Sequence, residues 1–574
     1  MGEPLFYVIL TAIYGATAVA WFVLPIASRF SRVLVGSAQY APDAILNTGV
    51  LEWVYGSLRS SRHLFDWTAG FPLSNSLALT ENLIGWQLFY FPLRALGLGI
   101  VASYNVVLLL SFVISGLTAA ALCRRLGASR GGAAIGGFVF AFVPFHVTHS
   151  IHLQTMGVCW TPLGLVFLDR ILERGRWRDA AGLAAVFVMT ALSSIYFAVF
   201  LAIVIVLYVV CCWAFGRYTL SLSTVGKLAA AGVASVIVLT PLILHYVRFV
   251  SSHGRFEHPT ALVAALSMEL LGVIRIARWQ ALSPMGPFEP NPNSATAATW
   301  TTGFPGVVAL ALIGYWLARV FQRKENRRLA AILLTIAIVC FVLSLGPYLK
   351  VRGGAPAPSM MWLPMPGRIW LAFSTIRWPM RLYFLTILMM SVMVSLGATV
   401  LLANIRSSRR AMITAGLVLL IALEYRPLPA FARLSVELPP PLEMSDAYPF
   451  LAAERDRGAI AELPLADNGG RRAPMVTRYT YGSVGHLRRV VAVHGSVILP
   501  VTDSLETAME DLPDRAAQDM LVSHGVSRLV IHKTLFSGDS ATRLIGAMKS
   551  AGIPILFEGK EGVVFSLAGS GVVH

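Results

Sequence analysis

An aspartate stands near the beginning of the chain, in a sequence where acidic residues are scarce. The 574 residues include 29 Asp and Glu against 46 Lys and Arg, and Asp43 follows the first apolar run within Ala41-Pro42-Asp43-Ala44. Close to a bilayer, burial would raise the pKa of this carboxyl and make it a usable base, or a bound cation would keep it ionised. A solvated loop aspartate or the N-cap of a following helix is the alternative.

Three histidines follow one another at intervals of three residues, at His146, His149 and His152. A helix would place all three along one stripe, where imidazoles can bind a metal, shuttle protons or donate hydrogen bonds to a phosphate. Because no carboxylate lies in the same segment, one or two hydrogen-bonding histidines are favoured over a dedicated zinc site. The alternative is a polar helix end at the level of the lipid headgroups, since Pro144 predicts a helix boundary there.

Two arginines four residues apart, Arg377 and Arg381, stand where a later apolar run begins. They would share one face of a helix, and the end of a membrane span is a costly place for a guanidinium unless it reaches water or pairs with an anion. A lipid phosphate fits, because guanidinium groups match phosphate oxygens in a bidentate manner. The alternative is anchoring at the membrane interface beside tryptophans. Other basic residues close in sequence to this candidate phosphate clamp are Lys350, Arg352 and Arg368.

The composition indicates which elements must position these side chains. Hydrophobic residues make up 56% of the chain and charged residues 13%, with a mean hydropathy of +0.68, which excludes a soluble globular protein. Apolar windows of about 17 to 25 residues, enough to cross about 30 Å of hydrocarbon, predict a mainly α, polytopic helical membrane protein. The run 83–98 could form a further span or a re-entrant segment, and the pair around Ser193-Ser194 could be one broken helix. Eleven spans are predicted, near 5–27, 103–123, 131–147, 156–172, 179–193, 195–215, 226–247, 306–321, 329–348, 379–403 and 410–425.

Arginine and lysine in the short loops predict the orientation, because these residues are retained on the cytoplasmic side. Basic clusters occur at every second connection, from Arg124-Arg125-Arg130 to Arg406-Arg409-Arg410. We therefore expect a multi-pass protein of the cytoplasmic (inner) membrane, with its N-terminus in the cytoplasm and its C-terminal domain outside. The long loops 28–102, 246–305 and 347–378 then share the outer face, where a membrane enzyme would keep its chemistry.

A proline-rich linker that ends in Pro439-Pro440-Pro441 separates two regions, a transmembrane domain at 1–435 and a soluble extracytoplasmic domain at 436–574. The first has 33 basic against 13 acidic residues and the second 13 against 16, so membrane lipids are expected partners and nucleic acid is not. The second region has no Gly-rich phosphate loop, nucleophile elbow or metal-spaced set, and is interpreted as a small α/β cap or docking module. Its strands are predicted at 459–465, 489–493 and 528–532, its helices at 514–524 and 541–551, and a closing hairpin at 555–557 with 562–567.

Several short motifs occur in an order that resembles the GT-C superfamily of multispan glycosyltransferases, including YfhO-like and family 39-like bacterial members. The resemblance covers nearly the whole chain and implies a GT-C fold, transfer of a hexosyl or pentosyl group from a polyprenyl-phosphate carrier, and a catalytic role for Asp43. The chain lacks an Asp-x-Asp pair in the first loop and a WWD-type motif in the tail, which argues against an oligosaccharyltransferase. A divalent metal is left open, and no other cofactor is implied. The motifs are Asp43, Phe71-Pro72-Leu73-Ser74-Asn75 before Glu81-Asn82, His149-x-x-His152-Leu153-Gln154, Thr302-Gly303-Phe304-Pro305-Gly306, Ser344-Leu345-Gly346-Pro347, Arg377-x-Pro379-x-Arg381 and Glu462-Leu463-Pro464.

Residues and resemblance together predict sugar transfer on the outer face, from a polyprenyl-phosphate sugar to a glycan, lipid or protein acceptor of the cell envelope. Asp43 would deprotonate the acceptor hydroxyl, and Arg377 and Arg381 would hold the leaving lipid phosphate. A transporter or flippase of a lipid-linked glycan, or a non-catalytic envelope assembly protein, is the alternative from another class. The remaining predicted substrate contacts are His149, His152, Gln154, Glu81, Asn82 and Arg368.

Overall fold

The structure is a computed structural model that describes residues 2–35, 41–254, 258–276, 280, 302–323, 326–350, 376–427, 436–467, 469–495 and 499–567. Helices dominate the transmembrane domain. They are α1 (Glu3–Ala18, continued by π and 3-10 turns to Arg29), α2 (Ala41–Leu58), α3 (Gln87–Ala95), α4 (Ile100–Arg125), α5 (Arg130–Phe142), α6 (Pro144–Thr148), α7 (Thr161–Arg174), α8 (Trp177–Ser193), α9 (Ile195–Ala214), α10 (Leu222–His253), α11 (Thr260–Ala265), α12 (Val307–Arg323), α13 (Arg327–Ser344), α14 (Tyr383–Ala403) and α15 (Ser407–Tyr425).

Eight helical runs in the described part of the chain are long and apolar enough to cross a membrane. Three more helices, α8, α12 and α15, have 17, 17 and 19 residues and occupy the remaining predicted spans. Each predicted span therefore contains a helix, and the mainly α, multi-pass class is confirmed. The eight runs are Glu3–Arg29, Ile100–Arg125, Arg130–Ile151, Leu153–Arg174, Ile195–Ala214, Leu222–His253, Arg327–Ser344 and Pro379–Ala403.

Both open questions about the span count have a structural answer. The run 83–98 contains a 3-10 turn (Ile84–Trp86) followed by the nine-residue helix α3. At about 1.5 to 2.0 Å per residue the two together are too short to cross the hydrocarbon. At the other place, Ser194 has extended backbone angles (φ −165°, ψ 124°), and its side chain accepts a hydrogen bond from the Phe197 N–H. Helices α8 and α9 are therefore separate, and Ser194 is the N-cap of the second.

Glycines allow the central helices to approach closely. A Cβ atom on Gly136 of α5 would lie 2.7 Å from the Ser391 carbonyl oxygen and 2.6 Å from the Ser395 Cβ of α14. Small residues permit this kind of backbone contact between membrane helices, where packing rather than water exclusion drives association. Helix α5 is accordingly buried along its whole length after Gly131.

The arginine-rich loops gather at one end of the bundle. Glu3, at the start of α1, pairs with Arg124 at 2.9 Å, and the fully buried Asp169 of α7 pairs with Arg125 at 2.5 Å. Tyr208 of α9 donates its hydroxyl to Asp169 at 2.6 Å. The N-terminus therefore lies at the same end as these loops, as the charge pattern predicts. Which membrane side this end faces stays a prediction.

Two short strands join the loop that follows α1 to the chain beyond α15. The strand β1 (Val33–Leu34) pairs antiparallel with β2 (Val436–Glu437). The buried Asn105 of α4 supports the same loop, because its side chain accepts from the Val35 N–H at 2.9 Å and donates to the Val33 carbonyl at 2.8 Å. The entry to the C-terminal domain is thus fixed to the transmembrane domain by backbone pairing.

The C-terminal domain is α/β, as predicted. Its sheet has the strand order β3 (Ala459–Leu463), β4 (Val526–His532), β6 (Gly562–Ser566), β5 (Ile555–Glu558), with β3 and β4 parallel and the other neighbours antiparallel. The strand predicted at 489–493 forms only isolated bridges through Val490, one to Ala69 and one to Ile460. The helices are α16 (Ala447–Ala453), α17 (Ala473–His486), α18 (Pro500–Glu510), α19 (Arg515–Ser523) and α20 (Ser540–Ser550), and the first three were not among the predicted elements.

Candidate functional site

A cavity of about 1380 Å³ lies between the transmembrane helices α8, α9 and α10 and the C-terminal domain. Its walls are of three kinds. Apolar side chains of the three helices form one wall, including Phe187, Val199 and Leu239. The C-terminal domain forms another through Arg471, Arg472 and His494. The third wall is polar and contains six of the predicted site residues, namely Asp43, Glu81, His152, Gln154, Arg377 and Arg381.

Helix α2 presents Asp43 to the cavity from its first turn. Pro42 suits a helix start because its missing N–H would have no partner there, and a carboxylate in the first turn is favoured by the helix dipole. The Asp43 carboxylate lies 2.9 Å from the His152 Nε2. One turn further along α2, Asn47 donates to the Gln154 side chain at 2.7 Å. His152 and Gln154 therefore each contact a side chain on the same face of α2.

The pKa of Asp43 shifts in the direction opposite to the rise that burial alone predicts. Burial raises the pKa of Asp43, but His152 and His494 lower it more strongly, so the net pKa lies well below the ordinary value. Burial lowers the pKa of His152, against the opposite effect of Asp43, and the charges of Arg381 and Arg377 lower it further. Asp43 is therefore ionised, and the His152 Nε2–H donates to its carboxylate.

The two arginines that line the cavity differ in burial. Arg381 is 4% exposed, and its guanidinium lies 4.9 Å from the ring centroid of Trp378 and 5.3 Å from that of Tyr196. Arg377 is half-buried, and its backbone N–H donates to the Tyr196 hydroxyl at 3.0 Å. Within the described part of the chain, no carboxylate oxygen lies within 4.0 Å of either guanidinium, and the Nε atoms of both are buried without a hydrogen-bond partner. Among the described residues, these two cations therefore face the cavity without a paired anion.

Glu81 lies on the cavity wall with its carboxylate at the start of α9. It accepts hydrogen bonds from the Ile195 N–H at 2.8 Å and from the Ser194 hydroxyl at 3.0 Å. Burial raises the pKa of Glu81, against the effect of these donors. A carboxylate at a helix N-terminus satisfies backbone donors that have no partner in the helix. Glu81 therefore fixes the wall that carries Tyr196, and its predicted contact with substrate stays a prediction.

Three other predicted residues have different surroundings. Asn82 is fully buried, with its side chain accepting from the Ile84 N–H at 3.0 Å, and it is not among the described residues that line the cavity. His149 lies behind His152, where its Nδ1 bonds the Phe145 carbonyl at 2.8 Å and its ring packs on Phe384, and it does not line the cavity either. The structure thus places both in the packing that supports the wall. Arg368 lies outside the described residues.

Sequence reasoning missed the contribution of the C-terminal domain. His494 Nε2 lies 3.7 Å from the Asp43 carboxylate. Arg472 pairs with Glu506 and Arg471 pairs with Asp467 at 2.8 Å, so these two arginines are neutralised within their own domain. The only sequence signal for His494 is its position directly after a predicted strand. Among the residues that the structure describes, no group of three or more His, Cys, Asp or Glu side chains is arranged to hold a metal ion.

Comparisons with known proteins show a family match and a similar fold. A family model described as "Domain of unknown function (DUF6311)" matches residues 70–424. Arabinofuranosyltransferase AftD from Mycobacteria is similar in structure in two classes of one mutant, with TM-scores of 0.61 and 0.53 and identities of 15% and 16%. Both alignments cover 99% of this chain, which spans 42% of the AftD chain. The Archaeoglobus fulgidus oligosaccharyltransferase aligns with a TM-score of 0.51 and 12% identity, over 92% of this chain and 69% of its own. No curated protein matches.

Proposed function

Because this chain belongs to the family described as "Domain of unknown function (DUF6311)" and has a GT-C-like fold, we propose that it is a membrane glycosyltransferase. It takes a pentose or hexose from a polyprenyl-phosphate carrier and transfers it to an acceptor of the cell envelope on the outer face. One observation carries the proposal. A single cavity combines an ionised carboxylate, two arginines that have no paired anion among the described residues, and an apolar wall formed by membrane-spanning helices.

The apolar wall suits the carrier's prenyl chain. Val199, Ile243 and Val247 line the cavity and are 38%, 40% and 55% exposed. They belong to α9 and α10, which are long and apolar enough to span the membrane. A lipid chain in contact with these side chains can remain within the bilayer while its phosphate reaches Arg377 and Arg381 at the polar end. Guanidinium groups would hold that phosphate by charge-assisted hydrogen bonds.

The reaction then follows from the positions of the charges. The acceptor hydroxyl loses its proton to Asp43, the acceptor oxygen forms a bond to the anomeric carbon, and the bond from that carbon to the phosphate oxygen breaks. The proton resides on the Asp43 carboxyl and the electron pair leaves with the lipid phosphate. Negative charge builds on this phosphate in the transition state, so fixed cations beside it should contribute much of the acceleration.

The similar structures support the class of reaction. AftD is named an arabinofuranosyltransferase, and the second structure an oligosaccharyltransferase, so both proteins with this fold transfer sugars. The identity of the sugar and of the acceptor is left to experiment.

The proposal is tested with purified protein in lipid nanodiscs, supplied with polyprenyl-phosphate sugars and an envelope acceptor fraction. Wild-type protein should release polyprenyl phosphate, and Asp43→Asn should lower turnover at least about 100-fold, since a general base contributes about 10²–10⁴. Asp519→Asn, at an exposed site of the C-terminal domain, is the matched control. Wild-type turnover by Asp43→Asn would reject the role of Asp43. Movement of intact donor across the bilayer without release of lipid phosphate would favour a flippase. Parallel reactions with EDTA, Mg²⁺ or Mn²⁺ measure whether a divalent metal is required.

A further inference from the structure

Asp43 is approached from two separate parts of the chain. His152 contacts one carboxylate oxygen at 2.9 Å, and His494 lies 3.7 Å from the other. His494 belongs to the C-terminal domain, lines the same cavity and is 28% exposed. The proposed transfer reaction gives this histidine no role.

The segment before His494 is held on both sides by backbone hydrogen bonds. On one side, the Val490 N–H donates to the Thr68 carbonyl at 2.7 Å, and its own carbonyl accepts from the Phe71 N–H at 3.0 Å. On the other side, the Val491 N–H donates to the Ile460 carbonyl of β3 at 3.1 Å. This segment therefore joins the first outer loop to the C-terminal sheet. His494 follows it by a few residues, so its position beside Asp43 is set by both domains.

We propose that His494 is a positioning residue for Asp43, and that the C-terminal domain completes the active site through it. The inference rests on the proposed function, in which Asp43 accepts the proton of the acceptor hydroxyl. An imidazole beside each carboxylate oxygen restricts rotation of the carboxylate. The second lone pair of each oxygen stays available for the acceptor.

The charges around Asp43 predict how the loss of His494 would be seen. Asp43 is faced by His152, by His494, by Tyr104 of α4 and by Arg381 beside α14. His494 lowers the pKa of Asp43, so removing it raises that pKa. Because a base must be ionised to act, the acid limb of the pH profile of kcat/KM should move to higher pH.

Three variants of the full chain in nanodiscs test the proposal. His494→Ala should lower kcat by about tenfold or more, leave donor affinity within about twofold and move the acid limb upward. His494→Gln still offers an N–H to the carboxylate and should recover most of the lost turnover. His524→Ala removes an exposed histidine of the same domain and should behave as wild type.

Other outcomes would overturn either the positioning role of His494 or the proposed glycosyl transfer. Equal losses in the two His494 variants, with recovery of His494→Ala by added imidazole, would show a proton carrier and overturn the positioning role, as would an unmoved acid limb. A second measurement needs no turnover: His494→Ala should lower the melting temperature, and this shift should disappear in the Asp43→Asn background. Equal shifts in both backgrounds would overturn the inference. Absence of lipid-phosphate release by wild-type protein would reject glycosyl transfer instead, and the melting temperatures would still decide whether His494 acts on Asp43.

Discussion

Replacement of Arg381 by glutamine should separate donor binding from stability. The guanidinium is 4% exposed and contacts Trp378 and Tyr196 through their ring faces. Within the described residues no carboxylate is close enough to pair with it. In the free protein, the ring contacts stabilise by about 1–2 kcal/mol in total, whereas burial of an unpaired ion costs several kcal/mol. Arg381→Gln should therefore leave the melting temperature of the donor-free protein unchanged or raise it.

Donor binding, in contrast, should become weaker in Arg381→Gln. A charge-assisted hydrogen bond to a phosphate in a buried site contributes about 3 kcal/mol, and its loss corresponds to about 150-fold weaker binding. Arg381→Lys retains the charge without the bidentate geometry and should weaken binding about tenfold, or about 1.4 kcal/mol. Arg377 is half-buried and more screened, so Arg377→Gln should cost about 1 kcal/mol, or about fivefold.

The assay is titration of fluorescent polyprenyl phosphate into nanodiscs that contain each variant, with thermal unfolding measured on the same samples without lipid. Arg59→Gln, at an exposed arginine that bonds Tyr55 outside the cavity, is the control. A variant of Arg381 that melts much earlier and binds the lipid normally would show that this arginine serves packing, and the reasoning about an unpaired cation would be wrong.

Two further predictions concern stability. His486 is 1% exposed, and burial lowers its pKa to about 4. Below its ordinary pKa of about 6.5 the unfolded chain binds a proton that the folded domain rejects. The contribution of His486 to stability is therefore constant above pH 6.5 and falls by about 3 kcal/mol between pH 6.5 and 4. Hydrogen exchange of β3 and β4, corrected for intrinsic rates, should show this loss, and His486→Gln should reduce it. An identical dependence of stability on pH in the variant would contradict the assignment of this loss to His486. Gly136→Val should lower the melting temperature strongly, because a Cβ at this position lies 2.7 Å from the Ser391 carbonyl oxygen. Gly314→Val is the control, since nothing lies within 4 Å of a Cβ there. A shift at Gly136 no larger than that at Gly314 would refute the close packing.

Several features of this protein are readable from sequence because they depend on local composition. A membrane span needs only enough consecutive apolar residues, so each of the eleven predicted spans contains a helix. The scarcity of acidic residues, the spacing of the histidines and the cost of a guanidinium at the end of a span made Asp43, His152 and Arg381 candidate site residues, with a helix cap, a polar helix end and membrane anchoring as the respective alternatives. All three line the same cavity.

The direction in which each side chain points, and the groups that it contacts, could not be predicted from the sequence. Both depend on contacts between distant segments. His149 and His152 share a motif, yet one ring packs against Phe384 and the other faces Asp43. Glu81 was predicted to contact substrate, and the fold sets its carboxylate at the start of α9. The sign of the Asp43 pKa shift also reversed, since burial alone raises it and the two imidazoles lower it.

The amino-acid order alone therefore determines the membrane class, the helices and a short set of polar residues in apolar surroundings, since hydrophobic length and the cost of a charge in lipid are properties of a segment. Assembly of the candidate site depends on tertiary contacts. Asp43 and His494 are separated by most of the chain, and they meet because Val490 and Val491 hydrogen-bond to both domains at once. Hydrogen bonds of this kind form between specific backbone groups, and no spacing along a single sequence encodes them.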